Sequence, residues 1–299
     1  MTYQELLQYG ILLLQEHQVP DAALDARYLL EWAADKTHAE LLLCMKDSAE
    51  EKIVSSFTQA IDKRSRRIPL QQITHEQMFM GYVFYVNEHV LVPRQDTEIV
   101  VETAYNTILK KYGSNGPHAS GRPSDEPIRI LDLCCGSGCI GISLAKMLQN
   151  KGYEVLLTLA DLSEKALEAA AENTRRLACP AVLVQGDLFE NVRQCFSVIV
   201  SNPPYIRTDA IRELMPEVRD HEPYLALDGK EDGLYFYRKI MQKIDDYIED
   251  DGYVFFEIGF DQAEDLRKIF IEQTYEEIQI CKDLTGHDRV AYARHSCGK

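Results

Sequence analysis

The sequence predicts an α/β fold, in which a mostly parallel seven-stranded sheet follows a small all-helical domain. Over residues 1–67 the apolar side chains recur at helical spacing, and this region lacks the Gly- and Pro-rich turns that strands need. From residue 128 onward, short apolar runs alternate with helical patterns, which is typical of a parallel sheet covered by helices on both faces. We therefore expect a helical domain at 1–77, a β-hairpin linker at 78–92 and an α/β domain at 93–299.

Three helices are predicted in the helical domain. An apolar face over 6–14 marks the first helix, and Pro20 ends it because proline has no backbone N–H to donate. Asp21 is placed to cap the second helix. The pattern Ser48-x-x-Glu51 has the form of a capping box and predicts the start of the third helix. The basic run that ends this third helix is interpreted as a solvated face.

The residues that follow the helical domain change in character. Aromatic and β-branched residues dominate 78–92, and Asn87-Glu88 is predicted to form the turn of a hairpin. A helix is expected near 95–111. The segment 113–127 is rich in Gly, Ser and Pro, which predicts a loop.

Strands and helices then alternate. Five strands of the parallel kind are expected at 128–133, 155–160, 181–184, 197–200 and 253–258. The helices that go with them are expected at 139–149, 164–177, 232–248 and 262–272. Two tail strands are expected at 277–282 and 289–293, and they complete the sheet of seven.

Charge and composition exclude some classes of function. The chain has 48 acidic and 32 basic residues, which gives a net charge of −16. Such a surface repels phosphate backbones, so we expect no stable nucleic-acid binding and a preference for basic partners. No apolar run reaches the roughly 18–20 residues that span a bilayer, and no targeting signal opens the chain, so a cytoplasmic protein is expected. The eight cysteines show no ligand spacing, so no metal site is expected.

Three signals at successive strand ends predict a nucleotide site. A glycine-rich turn follows the first strand, which carries Asp132, and its glycines let a ligand approach the backbone closely. Asp161 follows the second strand and can accept hydrogen bonds from ribose hydroxyls, and Asp187 follows the third and can accept from an adenine amino group. The turn itself is formed by Cys134, Cys135, Gly136, Ser137 and Gly138. No P-loop lysine is present, which disfavours ATP hydrolysis, but a dinucleotide remains open.

The most informative stretch follows the fourth strand and reads Ser-Asn-Pro-Pro-Tyr over 201–205. Pro203 and Pro204 fix two φ angles and keep Asn202 out of the helical region, which makes the turn stiff. The Asn202 side-chain oxygen and the Pro203 carbonyl can each accept one N–H of a planar NH₂ group, and Tyr205 can stack on its flat face. An amide nitrogen is a poor nucleophile, and two acceptors that bind both of its hydrogens would aim it at an electrophile. Methyl transfer from a sulfonium to such a nitrogen depends on this fixed geometry and requires no metal.

This turn resembles the one in amino-group methyltransferases that use S-adenosylmethionine. Further stretches resemble the peptide chain release factor protein-(glutamine-N5) methyltransferases, the HemK/PrmC type, over about residues 66–294. These stretches are IPLQQIT at 68–74 with FxGxxFxV at 79–86, LVPRQDTE at 91–98, EPxxALxGxxDGL at 222–234 and DLxGxDR at 283–289. The resemblance implies a Rossmann-like catalytic domain and a helical domain that recognises the substrate.

The resemblance also implies the reaction and its residues. S-adenosylmethionine would donate a methyl group to N5 of the glutamine in the GGQ motif of class 1 release factors, and S-adenosylhomocysteine would be the product. Asp132, the glycine-rich turn and Asn202 would contact the cofactor, Asp161 would bind its ribose, and Asp187 and Leu188 would lie beside its adenine. The glutamine would be held by Asn202, Pro203, Pro204 and Tyr205. The active site would be edged by Arg94, Thr97 and Glu98.

Two positions depart from this family's pattern, and other functions stay open. Cys134 stands where the family usually has glycine, so its side chain either narrows the cofactor pocket or faces the sheet. Gln95 stands where a proline is usual, which predicts a less rigid turn beside Arg94. Adenine also offers a planar NH₂ group, so an adenine-N6 or guanine-N2 methyltransferase is the main alternative. A cofactor-binding scaffold without turnover and a nicotinamide oxidoreductase are the others.

Overall fold

The computed structural model describes residues 1–113 and 126–296, so most of the loop predicted at 113–127 lies outside the described residues. The chain divides into two compact units, Met1–Glu76 with Leu214–His221, and Gln77–Glu213 with Glu222–Lys299. The predicted helical domain contains no part of the segment Leu214–His221, and only the structure assigns this segment to the helices. None of the helices in the described ranges is long and apolar enough to cross a membrane.

Short and long helices share one core in the first unit. They are α1 (Tyr3–Glu16), α2 (Ala22–Ala34), α3 (His38–Leu43), α4 (Glu51–Ser65) and α5 (Leu70–Thr74), and their apolar faces bury Leu6, Leu29 and Phe57 completely. The later segment adds α9 (Pro216–Arg219), which contributes no buried residue to this core. The short helices α3, α5 and α9 were not predicted, because so few residues show no helical period.

The capping box predicted at Ser48 and Glu51 is wrong. The N-cap of α4 is Glu50, whose side chain makes no capping hydrogen bond. Ser48 instead pairs with Thr2 in an isolated antiparallel bridge. Asp21 does occupy the N-cap position of α2, but its side chain makes no capping hydrogen bond. The capping boxes lie at the starts of α1 and α3, as Thr2-x-x-Glu5 and Thr37-x-x-Glu40.

An ion-pair cluster binds α9 to the helices of the first unit. Arg67 donates to both carboxylate oxygens of Glu217, at 2.6 and 2.7 Å, and Arg64 donates to the same carboxylate at 2.9 Å and to Asp25 at 2.6 Å. Burial alone would raise the pKa of Glu217, but the hydrogen bonds from the two arginines lower it to about 2. The basic end of α4 is therefore not simply a solvated face, because Arg64 is buried there.

We expect Glu217→Gln to lower the free energy of unfolding by about 2 kcal/mol at pH 7, because it removes the anionic partner of a buried arginine. The loss should shrink as the pH falls from 4.5 towards 2, where the parent carboxylate takes up its proton. Urea unfolding at several pH values measures this. Asp220→Asn breaks an exposed ion pair in the same segment and should change little. Equal, small effects of the two substitutions would contradict the prediction.

The second unit contains a hairpin and a seven-stranded sheet with helices on both faces. The strands are β1 (Glu76–Phe79), β2 (Tyr82–Tyr85), β3 (Ile128–Leu133), β4 (Val155–Asp161), β5 (Ala181–Gln185), β6 (Phe196–Ser201), β7 (Ile248–Glu257), β8 (Glu276–Lys282) and β9 (Asp288–Arg294). The helices are α6 (Glu98–Tyr112), α7 (Cys139–Asn150), α8 (Glu164–Arg176), α10 (Tyr224–Leu227), α11 (Tyr235–Met241) and α12 (Ala263–Glu272).

The sheet of the described residues has the strand order β5-β4-β3-β6-β7-β9-β8, and β9 runs opposite to the other six strands. Apolar side chains from the two faces of the sheet form two separate cores with the covering helices. The predicted fold class, a mostly parallel seven-stranded sheet preceded by helices, is therefore confirmed.

The order of the strands reverses between β3 and β6. The chain moves from β3 outward to β4 and β5, and then returns to place β6 on the other side of β3. Leu133 pairs with Ser201 across these two strands, and the Ser201 hydroxyl donates to the Leu133 carbonyl at 2.6 Å. The turns that follow β3 and β6 therefore begin side by side, at the place where such sheets bind ligands.

Two predicted elements differ in the structure. The hairpin turns at Met80-Gly81, where both φ angles are positive as in a type I′ turn, and not at Asn87-Glu88. Asn87 forms a local turn instead, with its side-chain oxygen accepting from the His89 N–H. The helix predicted over 232–248 is much shorter, because α11 ends at Met241 and β7 already begins at Ile248.

Candidate active site

A cavity in the second unit lies at the carboxyl ends of β3, β4, β5 and β6. Predicted cofactor residues line it, namely Cys134, Cys135, Gly136, Ser137, Asp161, Asp187, Leu188 and Asn202. Arg94, Thr97 and Pro204 line it as well. The remaining predicted residues are not among the described lining residues; they are Asp132, Gly138, Pro203, Tyr205 and Glu98.

The glycine-rich turn leaves open backbone beside the cavity. Gly136 has a φ of +54°, and a Cβ added there would meet no protein atom within 4 Å. Its N–H donates to Asp161 at 2.8 Å, which ties the turn after β3 to the end of β4. An open, glycine-lined cradle next to carboxylates fits the main body of a nucleotide-like ligand.

Cys134 has the backbone conformation that glycine, the usual residue at this position in the family pattern, adopts without strain. Its φ is +60°, in the left-handed region that L-residues other than Asn and Asp rarely enter. The thiol packs against the core on one face of the sheet and also lines the cavity, so both expected placements hold in part. Burial raises the pKa of the Cys134 thiol above its ordinary value, which keeps it a neutral thiol. Gln95 starts a single 3₁₀ turn, Gln95–Thr97, and its side chain is exposed.

Asp132 lies completely buried at the end of β3. One carboxylate oxygen accepts the Gly141 N–H at 2.8 Å, and the other has no hydrogen-bond partner among the described residues. Burial, together with the nearby Asp161, raises the pKa of Asp132 to about 7. Asp132 therefore supports the glycine-rich turn through α7 rather than facing the cavity.

The two predicted nucleotide carboxylates are placed differently. Asp161 accepts N–H groups from Gly136 at 2.8 Å and from Ser163 at 2.9 Å, and burial raises its pKa above the usual value despite these bonds. Each carboxylate oxygen can accept a second hydrogen bond, so ribose hydroxyls still find acceptors there. Asp187 is exposed at the cavity, 3.5 Å from the ammonium group of Lys239.

One buried carboxylate joins two of the predicted catalytic residues. Glu257 ends β7 and is 2% exposed. Its Oε2 accepts the side-chain NH₂ of Asn202 at 2.9 Å, and its Oε1 accepts the Tyr205 hydroxyl at 3.2 Å. The Tyr205 ring is therefore fixed at its hydroxyl end.

The backbone after Tyr205 is held by a buried glutamine and a close approach. The Gln262 side chain donates to the carbonyls of Tyr205 and Gly233, at 3.1 and 3.2 Å, and accepts the Gly259 N–H at 2.9 Å. A Cβ at Gly233 would lie 2.4 Å from the Tyr205 carbonyl oxygen, so only glycine fits. This contact explains the second half of the sequence stretch at 222–234.

A partly buried cation interacts electrostatically with Glu257. Arg289 begins the last strand with Asp288, and its guanidinium contacts Asp283 at 3.2 Å and Asp96 at 3.6 Å. Burial opposes the charge of Arg289, but Tyr205 and Glu257 raise its pKa above the ordinary value. The sequence stretch at 283–289 therefore supplies a fixed positive charge to the Asn202 turn.

The predicted edge residues make contacts that organise neighbouring segments. The Arg94 guanidinium binds the buried Glu222 carboxylate at 2.6 and 2.8 Å, and this pair holds the chain next to the lining residue Pro223. The Glu98 carboxylate accepts the Met80 N–H at 2.6 Å and so serves the hairpin turn. Substrate contacts of Arg94 and Glu98 remain predictions.

Comparisons with known proteins identify the family. The family model described as PrmC N-terminal domain matches residues 5–74, and the one described as methyltransferase small domain matches 123–220. A release factor glutamine methyltransferase of Bacillus cereus is 34% identical over 284 residues, which covers 89% of this chain and 95% of that protein. This chain belongs to the release factor glutamine methyltransferase family. The resemblance inferred from the sequence is thereby confirmed.

One further relative differs in length, and one solved structure shares the fold. A bifunctional methyltransferase of Rickettsia felis is 36% identical over 289 residues, and the chain spans about half, 54%, of its length. The solved hMettl16 catalytic domain, in complex with the MAT2A 3'UTR hairpin 6, has a TM-score of 0.56 at 12% identity and covers 80% of this chain and 83% of that one. This last likeness concerns the fold alone.

Sequence reasoning missed the buried support of the Asn-Pro-Pro-Tyr turn. Glu257 and Gln262 were not singled out, although Glu257 is an acidic residue within the apolar run predicted as the strand at 253–258. A charge in a strand buried on both faces needs a partner, and that mismatch is the signal that identifies such a residue.

We expect the stability effect of Asp132→Asn to depend on pH. The raised pKa means that the folded protein binds this proton more tightly than the unfolded chain, so the contribution of Asp132 is greatest below pH 3.8 and falls as the pH rises to about 7. The variant should therefore gain stability relative to the parent by roughly 1 kcal/mol per pH unit between pH 4 and 7. Urea unfolding of both proteins across this range measures the slope, with exposed Asp209→Asn as control. A difference in the free energy of unfolding between variant and parent that stays constant with pH would refute the prediction.

Cys134→Val should lower the free energy of unfolding by about 1–2 kcal/mol, because a β-branched residue is strained at a positive φ. Cys281→Val, in strand β8, should have little effect, since strands favour β-branched residues. Cys134→Gly should be tolerated. The midpoints of urea unfolding, measured in parallel, compare the three variants with the parent. Equal midpoints for the two valine variants would contradict the predicted backbone strain at position 134.

Proposed function

We propose that this protein transfers a methyl group from S-adenosylmethionine to the side-chain amide nitrogen of a glutamine, the one in the GGQ motif of class 1 release factors. The observation that carries the proposal is the Asn202 amide, which lines the nucleotide-type cavity while its NH₂ group is occupied by Glu257. The relatives' names supply the substrate class. The helical domain is proposed to contribute to recognition of the release factor, and such a substrate places the activity in the cytoplasm.

The residues around the cavity fit the proposed cofactor. The cradle at Gly136 would receive its methionine part, the Asp161 carboxylate its ribose, and Asp187 with Leu188 its adenine. When bound, the sulfonium supplies an electrophilic methyl group. The family resemblance implies these assignments, and they are supported by the order of the acceptors along the strand ends, which matches the order of polar groups in the cofactor.

The chain's own contribution is to orient the acceptor nitrogen. The Asn202 side-chain oxygen and the Pro203 carbonyl each accept one N–H of the glutamine amide, and Tyr205 covers the amide plane. The amide nitrogen gains a methyl group and releases one proton. Because both prolines and the Gln262 contacts fix the turn, little freedom is lost when the amide binds.

Asn202→Ala should reduce methyl transfer by at least about 100-fold and leave the Kd for S-adenosylmethionine within about threefold, because it removes one of two acceptors for the nitrogen. Peptide mass spectrometry of an unmodified class 1 release factor measures transfer, and calorimetry measures cofactor binding. Asn150→Ala, at the exposed end of α7, is the matched control. Transfer by Asn202→Ala at the parent rate, or parent enzyme that methylates adenine in nucleic acid but no glutamine, would overturn the proposal.

A further inference from the structure

We propose that Glu257 is a positioning residue for methyl transfer, acting by holding the NH₂ group of Asn202 so that the amide oxygen faces the acceptor nitrogen. This inference rests on the proposed function. It concerns a residue at the end of a different strand, β7, whose carboxylate reaches the turn that follows β6.

The identity of the partner decides which way the Asn202 amide points. Glu257 Oε2 accepts a hydrogen from the Asn202 NH₂ group at 2.9 Å, so the side of the amide that faces Glu257 is the NH₂ side. The Asn202 oxygen is then directed away from Glu257, and no donor within the described ranges is bonded to it. A rotation of the amide by 180° would set two oxygens against each other, which the buried setting makes costly.

Glu257 is itself fixed by groups from several parts of the second unit. Tyr205 donates to its second oxygen at 3.2 Å, and the nearby Thr97 hydroxyl lowers the pKa of the carboxyl in part. The Tyr237 hydroxyl donates to its backbone carbonyl at 2.7 Å. Burial raises the pKa of the Glu257 carboxyl above its ordinary value, and the positive charge of Arg289 offsets part of that rise. A carboxylate held in this way has little freedom to rotate, so it holds the Asn202 amide in one orientation.

The polar side-chain groups of the turn have different roles. The Tyr205 hydroxyl and the Asn202 NH₂ are both occupied by Glu257, whereas the Asn202 oxygen is left for the substrate. Loss of the carboxylate should therefore affect the rate of transfer through Asn202. It should not affect cofactor binding, because Glu257 is not among the described residues that line the cavity.

A pair of substitutions at Glu257 tests this role in the full-length protein. Glu257→Met removes the acceptor and should lower kcat for release factor methylation by about 10–100-fold, while KM for S-adenosylmethionine stays within about threefold. Glu257→Gln has the same shape and keeps an oxygen that can accept the Asn202 NH₂, so it should recover a large part of that loss. Glu249→Met and Glu249→Gln, at the other end of β7, are the controls and should leave kcat unchanged.

A double-mutant cycle separates positioning from a general structural role. If Glu257 acts through Asn202, then Glu257→Gln or Glu257→Met in an Asn202→Ala background should lower the residual rate by less than about twofold, measured with tritiated methyl donor. A full additional loss would overturn the proposal, as would a parent-like kcat for Glu257→Met. Should Glu257→Met fail to fold by circular dichroism, Glu257→Asp takes its place in the cycle, because its shorter side chain withdraws the carboxylate from the Asn202 NH₂ group and should lower kcat in the same way.

The same assays distinguish failure of this inference from failure of the proposed function. If the parent protein methylates no release factor glutamine, then the proposed function is wrong, and the cycle is repeated on whichever NH₂ substrate the parent does methylate. If the parent methylates glutamine and the cycle is additive, then the function stands and the positioning role of Glu257 is wrong.

Discussion

The parallel pairing of β3 with β6 is the interaction on which the candidate site depends. It places Leu133 opposite Ser201, and the hydrogen bond between them joins the last residues of the two strands. The glycine-rich turn and the Asn-Pro-Pro-Tyr turn are 64 or more residues apart along the chain, and this pairing alone makes them neighbours. A shift of register by one residue would turn the side chains of β6 to the opposite face of the sheet and separate the two turns.

A buried polar network then gives the second turn a single conformation. Glu257 accepts hydrogen bonds from Asn202 and Tyr205, and Gln262 holds the backbone that follows. Burial raises the pKa of Glu257, and the charge of Arg289 offsets part of that rise. Such a network is expensive if any member lacks a partner, because a buried polar group loses its contacts with water. This cost disfavours alternative conformations of the turn, because each of them leaves a buried carboxyl or amide group without a hydrogen-bond partner.

The two departures from the family pattern illustrate what the motifs preserve. Cys134 retains the left-handed φ that glycine would adopt without strain, so the turn keeps its path although the side chain differs. Gln95 begins a 3₁₀ turn in which a proline would also fit, because the φ of such a turn is close to the one that proline fixes. In both cases the pattern describes a backbone shape more than a chemical group.

The sequence by itself determined the helical domain, the order of the strands along the chain and the turns that carry Asp161 and Asn202. These features depend on periodicity and on the local preferences of Gly and Pro, which a few neighbouring residues express. Only the tertiary structure decided that Leu214–His221 joins the helices through Glu217, and that Glu257 contacts the Asn-Pro-Pro-Tyr turn. Both contacts join residues more than 50 positions apart, and the choice of a distant ionic or hydrogen-bonded partner leaves no period or spacing in the sequence that could reveal it.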